Sequence, residues 1–178
     1  MPAPLSRAFY NRPAIEVARA LLGTVLVHGS ASGRIVETEA YLGLQDRAAH
    51  SFRGPTPRTQ LLFGAPGHAY VYLIYGMYEC LNVVAEPPGS PGCVLIRALE
   101  PLSGIPPGTL ANGPGKLTRA MGITRRHNGA DLRKGSLTIH QPSRREEIHI
   151  AVSPRIGIRH CTDWPLRFFI QGNRFVSR

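Results

Sequence analysis

The stretch HAYVYLIYGMYECLNVVAE, residues 68–86, constrains the fold more than any other part of the chain. Apolar, β-branched and aromatic residues lead up to Gly76 and away from it again. That pattern predicts a strand, a tight turn and a second strand, a β-hairpin. Four of the six tyrosines lie on it, at positions 70, 72, 75 and 78. A buried strand favours valine and isoleucine over phenols, because each phenol needs a hydrogen-bond partner once it leaves water. The tip, Tyr75-Gly76-Met77-Tyr78, therefore offers bulky amphipathic side chains at the point farthest from a core. With the turn centred near Met77, Tyr72 falls opposite Asn82, and a stacking ring and an amide then line one pocket.

Around the hairpin the chain reads as mixed α/β. RPAIEVARALLG, residues 12–23, sets Ile15, Ala18, Leu21 and Leu22 at helical spacing, with Pro13 near its start and Gly23 beyond its end. GTVLVHG, GRIVETEAYLG, GCVLIRALEP, SLTIHQP, EEIHIAVSPRIGI and LRFFIQG read as strands, several bounded by glycine or proline. Residues 51–67 are a loop carrying Arg53 and Arg58, and a short helix is expected from Lys116. No repeat or long linker divides the chain, so residues 1–178 are expected to form one domain, and the short connections favour antiparallel pairing.

Charge narrows the partners. The formal charge is +10, and Lys116 and Lys134 are the only lysines among 21 basic residues. Guanidinium binds phosphate through two parallel hydrogen bonds, so a polyanion is the expected partner. The three cysteines lack metal-ligand spacing, and their odd number argues against a disulfide framework. Cys80 and Cys93 read as core residues. No apolar run reaches the ~18 residues of a membrane span, and the N-terminus lacks the apolar segment of a secretory signal. A soluble intracellular protein with no membrane partner is expected, in the cytoplasm or nucleoid if bacterial.

ETEAY, residues 37–41, is the candidate chemical centre. On a strand, Glu37, Glu39 and Tyr41 share one face while Val36, Thr38 and Ala40 share the other. Two carboxylates amid apolar neighbours are costly to bury without a role. Three readings remain open on these residues alone. The carboxylates could be a glycoside hydrolase pair around an anomeric carbon. The tyrosine hairpin and arginines could belong to a non-catalytic minor-groove DNA-binding protein. Or the rings could receive an extruded base.

The motifs IVETEAYLG, AAHS, TPR, YVYLIYGMYECLN, LIRALEP, GPGKL and PLRFFIQG follow one another as they do in the alkyladenine (3-methyladenine) DNA glycosylase family, which this chain resembles from about residue 8 onward. The resemblance implies a monofunctional enzyme of base excision repair. It would flip alkylated or deaminated purines (3-methyladenine, 7-methylguanine, hypoxanthine and ethenoadenine types) out of double-stranded DNA and hydrolyse the N-glycosidic bond. The expected fold is a mixed α/β domain with a curved, mostly antiparallel sheet, flanking helices and a protruding hairpin. Carried over by position, Glu39 activates the attacking water, held also by Arg97 and by a backbone carbonyl at Ile156. Tyr41, His50 and Tyr72 surround the base, and Asn82 excludes guanine's 2-amino group. Tyr75 fills the vacated stack, with Met77 and Tyr78 beside it in the minor groove. Lys116 matches a phosphate contact, and Arg53 and Arg58 are further phosphate candidates. No metal or cofactor is implied, and a monomer is expected. The segment from Pro101 to Gly115 and the loop from His50 to Thr56 depart from the family pattern, whereas the pocket motifs do not.

Overall fold

The computed structural model, which describes residues 2–144 and 146–177, opens with two short helices, α1 (Arg7–Tyr10) and α2 (Ala14–Leu21). It continues as β1 (Val25–His28), β2 (Ala31–Tyr41), β3 (Ala69–Ile74), β4 (Tyr78–Val84) and β5 (Cys93–Ser103), then α3 (Pro114–Met121), β6 (Leu137–His140), β7 (Ile150–Ser153) and β8 (Arg167–Ile170). The strands form one curled sheet in the order β3-β4-β5-β2-β1-β6, with every pairing antiparallel. β8 adds to β2 and carries β7 with it. This is the mixed, mostly antiparallel fold with a hairpin that the strand pattern predicts. Among the described residues no helix is long and apolar enough to cross a membrane.

β2 organises the molecule. One of its faces, through Val36, Thr38 and Ala40, is buried, and the Thr38 hydroxyl donates to the Ala18 carbonyl of α2 at 2.9 Å. The opposite face carries Glu37, Glu39 and Tyr41. α2 buries Ala14, Val17, Ala18 and Leu21, the i, i+3, i+4, i+7 set of one helical face. Of the expected face Ala18, Leu21 and Leu22 are buried, but Ile15 is exposed and Ala14 and Val17 turn inward instead, because the helix packs against β2 through that side. α3 likewise begins two residues earlier than Lys116. Pro114 sits at its first position, where a missing N–H costs nothing, and Gly122 ends it in the left-handed conformation at φ 67°.

The hairpin is present, but its register corrects the expectation. Tyr70, not Tyr72, lies opposite Asn82, and Tyr72 lies opposite Cys80. The turn centres on Gly76, one residue earlier than expected, which moves every pairing by two positions. Gly76 adopts φ 67°, a conformation open to glycine at little cost. Because the shift is even, Tyr70, Tyr72, Cys80 and Asn82 keep one common face.

Two of the three register irregularities between β2 and β5 flank Glu37. Ile35 pairs with Leu99, Glu37 with Ala98 and Thr38 with Ile96, so Val36 is an extra residue on β2 and Arg97 an extra residue on β5. The bulges cancel, and the regular register resumes beyond them. Such insertions bend a strand and re-aim a side chain, here that of Arg97.

Candidate active site

A cavity of ≈ 570 Å³ opens between the hairpin, the start of α3 and the segment 156–160. Tyr41, Arg97 and Ile156 line its floor, while Tyr70, Tyr72 and Asn82 form the hairpin wall. Glu39 lies behind that floor and is fully buried. Its Oε1 accepts the Ile156 backbone N–H at 2.8 Å and lies 3.4 Å from Arg97 Nη1, and its Oε2 accepts the Tyr41 hydroxyl at 2.8 Å. The three groups that touch Glu39 are thus the ones that border the cavity.

Glu37 lies two residues away in a different environment. Its Oε1 accepts Arg97 Nε at 2.8 Å, Arg167 Nε at 2.7 Å and the Ser177 hydroxyl at 2.8 Å, and its Oε2 accepts the Ser177 N–H at 2.7 Å. Burial alone would raise its pKa, but the Arg167 and Ser177 hydrogen bonds and the Arg97 charge outweigh burial and hold it below the usual carboxylate range. For Glu39 burial wins. Its pKa is raised, although Arg97, the Ile156 N–H and the Tyr41 hydroxyl all favour the charged form. Neighbouring carboxyls with opposite shifts are a mark of divided roles. The glycoside hydrolase alternative gains nothing from this geometry, since all four hydrogen bonds to Glu37 come from within the protein.

The hairpin wall is a cluster of rings. The His50 and Tyr72 centroids are 4.4 Å apart, Tyr70 and Tyr72 are 5.6 Å apart, and the Tyr70 hydroxyl lies 3.1 Å from His50 Nδ1. Packing of the imidazole against these rings lowers the His50 pKa to about 4, with the Arg58 charge adding to the effect, although the residue keeps an exposed edge. His50 is therefore neutral at pH 7. Asn82 is buried, and its Nδ2 donates to the Tyr70 carbonyl at 3.3 Å.

The remaining sequence candidates lie at the rim or beyond it. Tyr75 is 79% exposed at the hairpin tip and, unusually for a residue with a side chain, has φ 54°. Met77 and Tyr78 project beside it. The ring of Tyr78 rests on Gly115 of α3, where an added Cβ would come within 2.8 Å of Cδ1. Lys116 borders the cavity and donates to Asn112 Oδ1 at 3.3 Å. Arg58 lies over Tyr72 at 5.5 Å. Arg53 is exposed and does not border the cavity.

Sequence reasoning missed a second buried ion pair. Arg155 Nη2 donates to Asp46 Oδ1 at 3.0 Å and its Nη1 to the Ala40 carbonyl at 3.1 Å, while its guanidinium lies 4.6 Å from the Tyr41 ring centroid. Asp46 in turn accepts the N–H groups of Leu42 and Ala48. The pair clamps the residue before Ile156 to the end of β2, which brings the Ile156 N–H onto Glu39. Arg159 and His160, exposed at the cavity mouth, were not singled out either. Among the described residues no three His, Cys, Asp or Glu side chains group into a metal site.

Residues 8–174 match the family model described as methylpurine-DNA glycosylase. A candidate 3-methyladenine DNA glycosylase of Methanoculleus marisnigri is 47% identical, the match covering 98% of each chain. A protein of Myxococcus xanthus with the same description is 45% identical, over 98% of this chain and 93% of its own. One from Bacillus cereus strain AH187 is 48% identical over the whole of both chains. With a family model spanning nearly all of its length and relatives this similar from end to end, the chain belongs to the methylpurine-DNA glycosylase family, hydrolases of N-glycosyl bonds.

Proposed function

We propose that this protein removes alkylated or deaminated purines from duplex DNA by flipping the nucleotide into the cavity and hydrolysing its N-glycosidic bond with water activated by Glu39. The observation that carries the reading is a fully buried carboxylate with a raised pKa, held by Arg97, Tyr41 and the Ile156 N–H behind a cavity walled by tyrosine rings. A carboxylate has about four lone-pair sites. Two accept hydrogen bonds from the Ile156 N–H and the Tyr41 hydroxyl, so a site remains for a water proton.

In the reaction the water oxygen bonds to C1′ as the bond from C1′ to the base breaks. The base keeps the electron pair, and Glu39 takes the water proton. A single displacement of this kind inverts C1′. The oxocarbenium character of the sugar is stabilised by the nearby carboxylate. A cationic 3-methyladenine or 7-methylguanine leaves as a neutral base. A neutral lesion such as hypoxanthine or ethenoadenine needs a proton as it departs.

Tyr41, His50 and Tyr72 surround the flipped base in this reading, and a neutral His50 does not repel a cationic purine. Asn82 excludes guanine. Tyr75 enters the vacated stack, flanked by Met77 and Tyr78 in the minor groove. Its left-handed backbone supports this role, because strain of that kind collects at functional positions. Lys116, with Arg53 and Arg58, contacts phosphates. The protein acts as a monomeric single domain without a metal or cofactor. Release of free 3-methyladenine from methylated duplex DNA tests the whole reading. Intact DNA bases after prolonged incubation with excess protein would refute it.

A further inference from the structure

Glu37 carries a full set of hydrogen bonds, yet the reaction above gives it no step. Its partners come from three distant places. Arg97 is the extra residue of a bulge in β5, Arg167 begins β8, and Ser177 lies at the end of the described chain. Arg167 also donates from Nη1 to the Ser153 hydroxyl at 3.0 Å, at the end of β7 and just before the segment that bears Ile156. Arg97 is shared between the two carboxylates. Its Nε is fixed on Glu37, its Nη2 lies 3.5 Å from the Ser177 hydroxyl, and its Nη1 is left to face Glu39. A guanidinium is a rigid planar fork, so fixing one edge determines where the other points.

We infer that Glu37 and Ser177 form a positioning unit for Arg97, through which the C-terminal tail of the chain sets the state of Glu39. The inference rests on the proposed role of Glu39. Ser177 supplies two of Glu37's four hydrogen bonds, one from its backbone and one from its side chain. Losing them leaves Glu37 held through Oε1 alone, by Arg97 and Arg167, so its carboxylate can pivot and carry Arg97 Nη1 away from Glu39. The groups facing Glu39 are Arg97 from β5, Tyr41 and Glu37 from its own strand, Arg155 from the clamped segment and Cys80 from β4. Of these, the tail holds Glu37 directly and, through it, Arg97. Its charge favours the carboxylate, so its withdrawal raises the Glu39 pKa further. The acid limb of the pH–rate profile then moves to higher pH.

The test is a graded series at one position. Ser177→Thr keeps both donors, Ser177→Ala removes the hydroxyl, and Ser177→Pro removes the hydroxyl and the N–H. Single-turnover release of 3-methyladenine from methylated duplex DNA is followed from about pH 5 to 9, together with thermal unfolding. Ser177→Thr should match wild type. Ser177→Ala should lose roughly tenfold, and Ser177→Pro on the order of 10²-fold, as small misplacements in a catalytic site do. In both impaired variants the acid limb should move up. Rates that fall with melting temperature while the limb stays in place would mean that the tail is merely structural, and the inference is then wrong. If Ser177→Pro does not fold, Ser177→Ala against Ser177→Thr decides the matter in the same way. Failure of the parent reading looks different: wild type releases no base, or Glu39→Gln keeps its rate.

Discussion

Two residues apart on one strand, Glu37 and Glu39 show how environment divides labour between identical groups. Glu37 is saturated with donors and stays charged, whereas Glu39 is buried with its charge only partly compensated. A carboxyl with a raised pKa is a stronger base toward water once ionised, but it costs the fold stability wherever it is charged. The sign follows directly. A raised native pKa gives stability below the unfolded pKa that is lost as pH rises through the native one, so at neutral pH Glu39 is a liability. Glu39→Gln is therefore expected to lower single-turnover base release by roughly 10²–10⁴-fold while raising the melting temperature near pH 7 and preserving affinity for lesion DNA. Activity and melting measured on the same preparation check both halves. Asn82 makes a second argument at this scale. Its amide is tied to the Tyr70 carbonyl within the sheet and cannot swing aside for a 2-amino group. Placing a clashing or unpaired polar group in a closed site costs about 1–3 kcal/mol. Asn82→Ser should thus raise release of guanine or 7-methylguanine relative to 3-methyladenine by about 10-fold or more. An unchanged ratio with both rates reduced would assign Asn82 to holding the hairpin alone.

At the scale of elements, the hairpin is a rigid arm with a strained tip. α3 braces it close to the turn, since Gly115 admits the Tyr78 ring and the Thr118 hydroxyl donates to the Glu79 carbonyl at 3.0 Å. A left-handed conformation costs a residue with a Cβ roughly 1–2 kcal/mol, and Tyr75 adopts one. Tyr75→Gly relieves that strain at an entropic cost of about 0.5–1 kcal/mol. The variant should melt no lower than wild type, yet lose the stacking of its ring, worth about 1–3 kcal/mol. Lesions in stable base pairs should suffer more than lesions in mismatches, where extrusion is already cheap. Equal losses in both contexts, measured by single-turnover release, would remove the wedge assignment.

For the whole molecule, the dominant quantity is a formal charge of +10 carried mainly by arginine. Duplex binding should weaken steeply with salt, with a log–log slope of about −0.9 for each phosphate neutralised. Lys116, exposed at the start of α3 beside the cavity, should account for one such contact, so Lys116→Ala is expected to flatten the slope by roughly one unit. Fluorescence anisotropy of an undamaged duplex across a salt series measures it, and an affinity indifferent to salt would discard the electrostatic argument.

Local repetition in the sequence determined the strands, the hairpin, part of the buried stripe of α2, and the shared face of Glu37, Glu39 and Tyr41. Backbone periodicity dictates each of these over a few residues. Only the tertiary structure decided which of the two carboxylates is fully paired. The donors that separate them arrive from Arg97, Arg167 and Ser177, which are 60, 130 and 140 positions from Glu37. The Asp46–Arg155 clamp spans 109 positions and leaves no local trace in the sequence. The bulges that aim Arg97 and the turn that sets Tyr70 opposite Asn82 lie beyond periodicity as well, because a single extra or displaced residue changes register without altering the pattern on either side. Periodicity says which face a side chain is on. Its charge state depends on what the rest of the chain folds against that face.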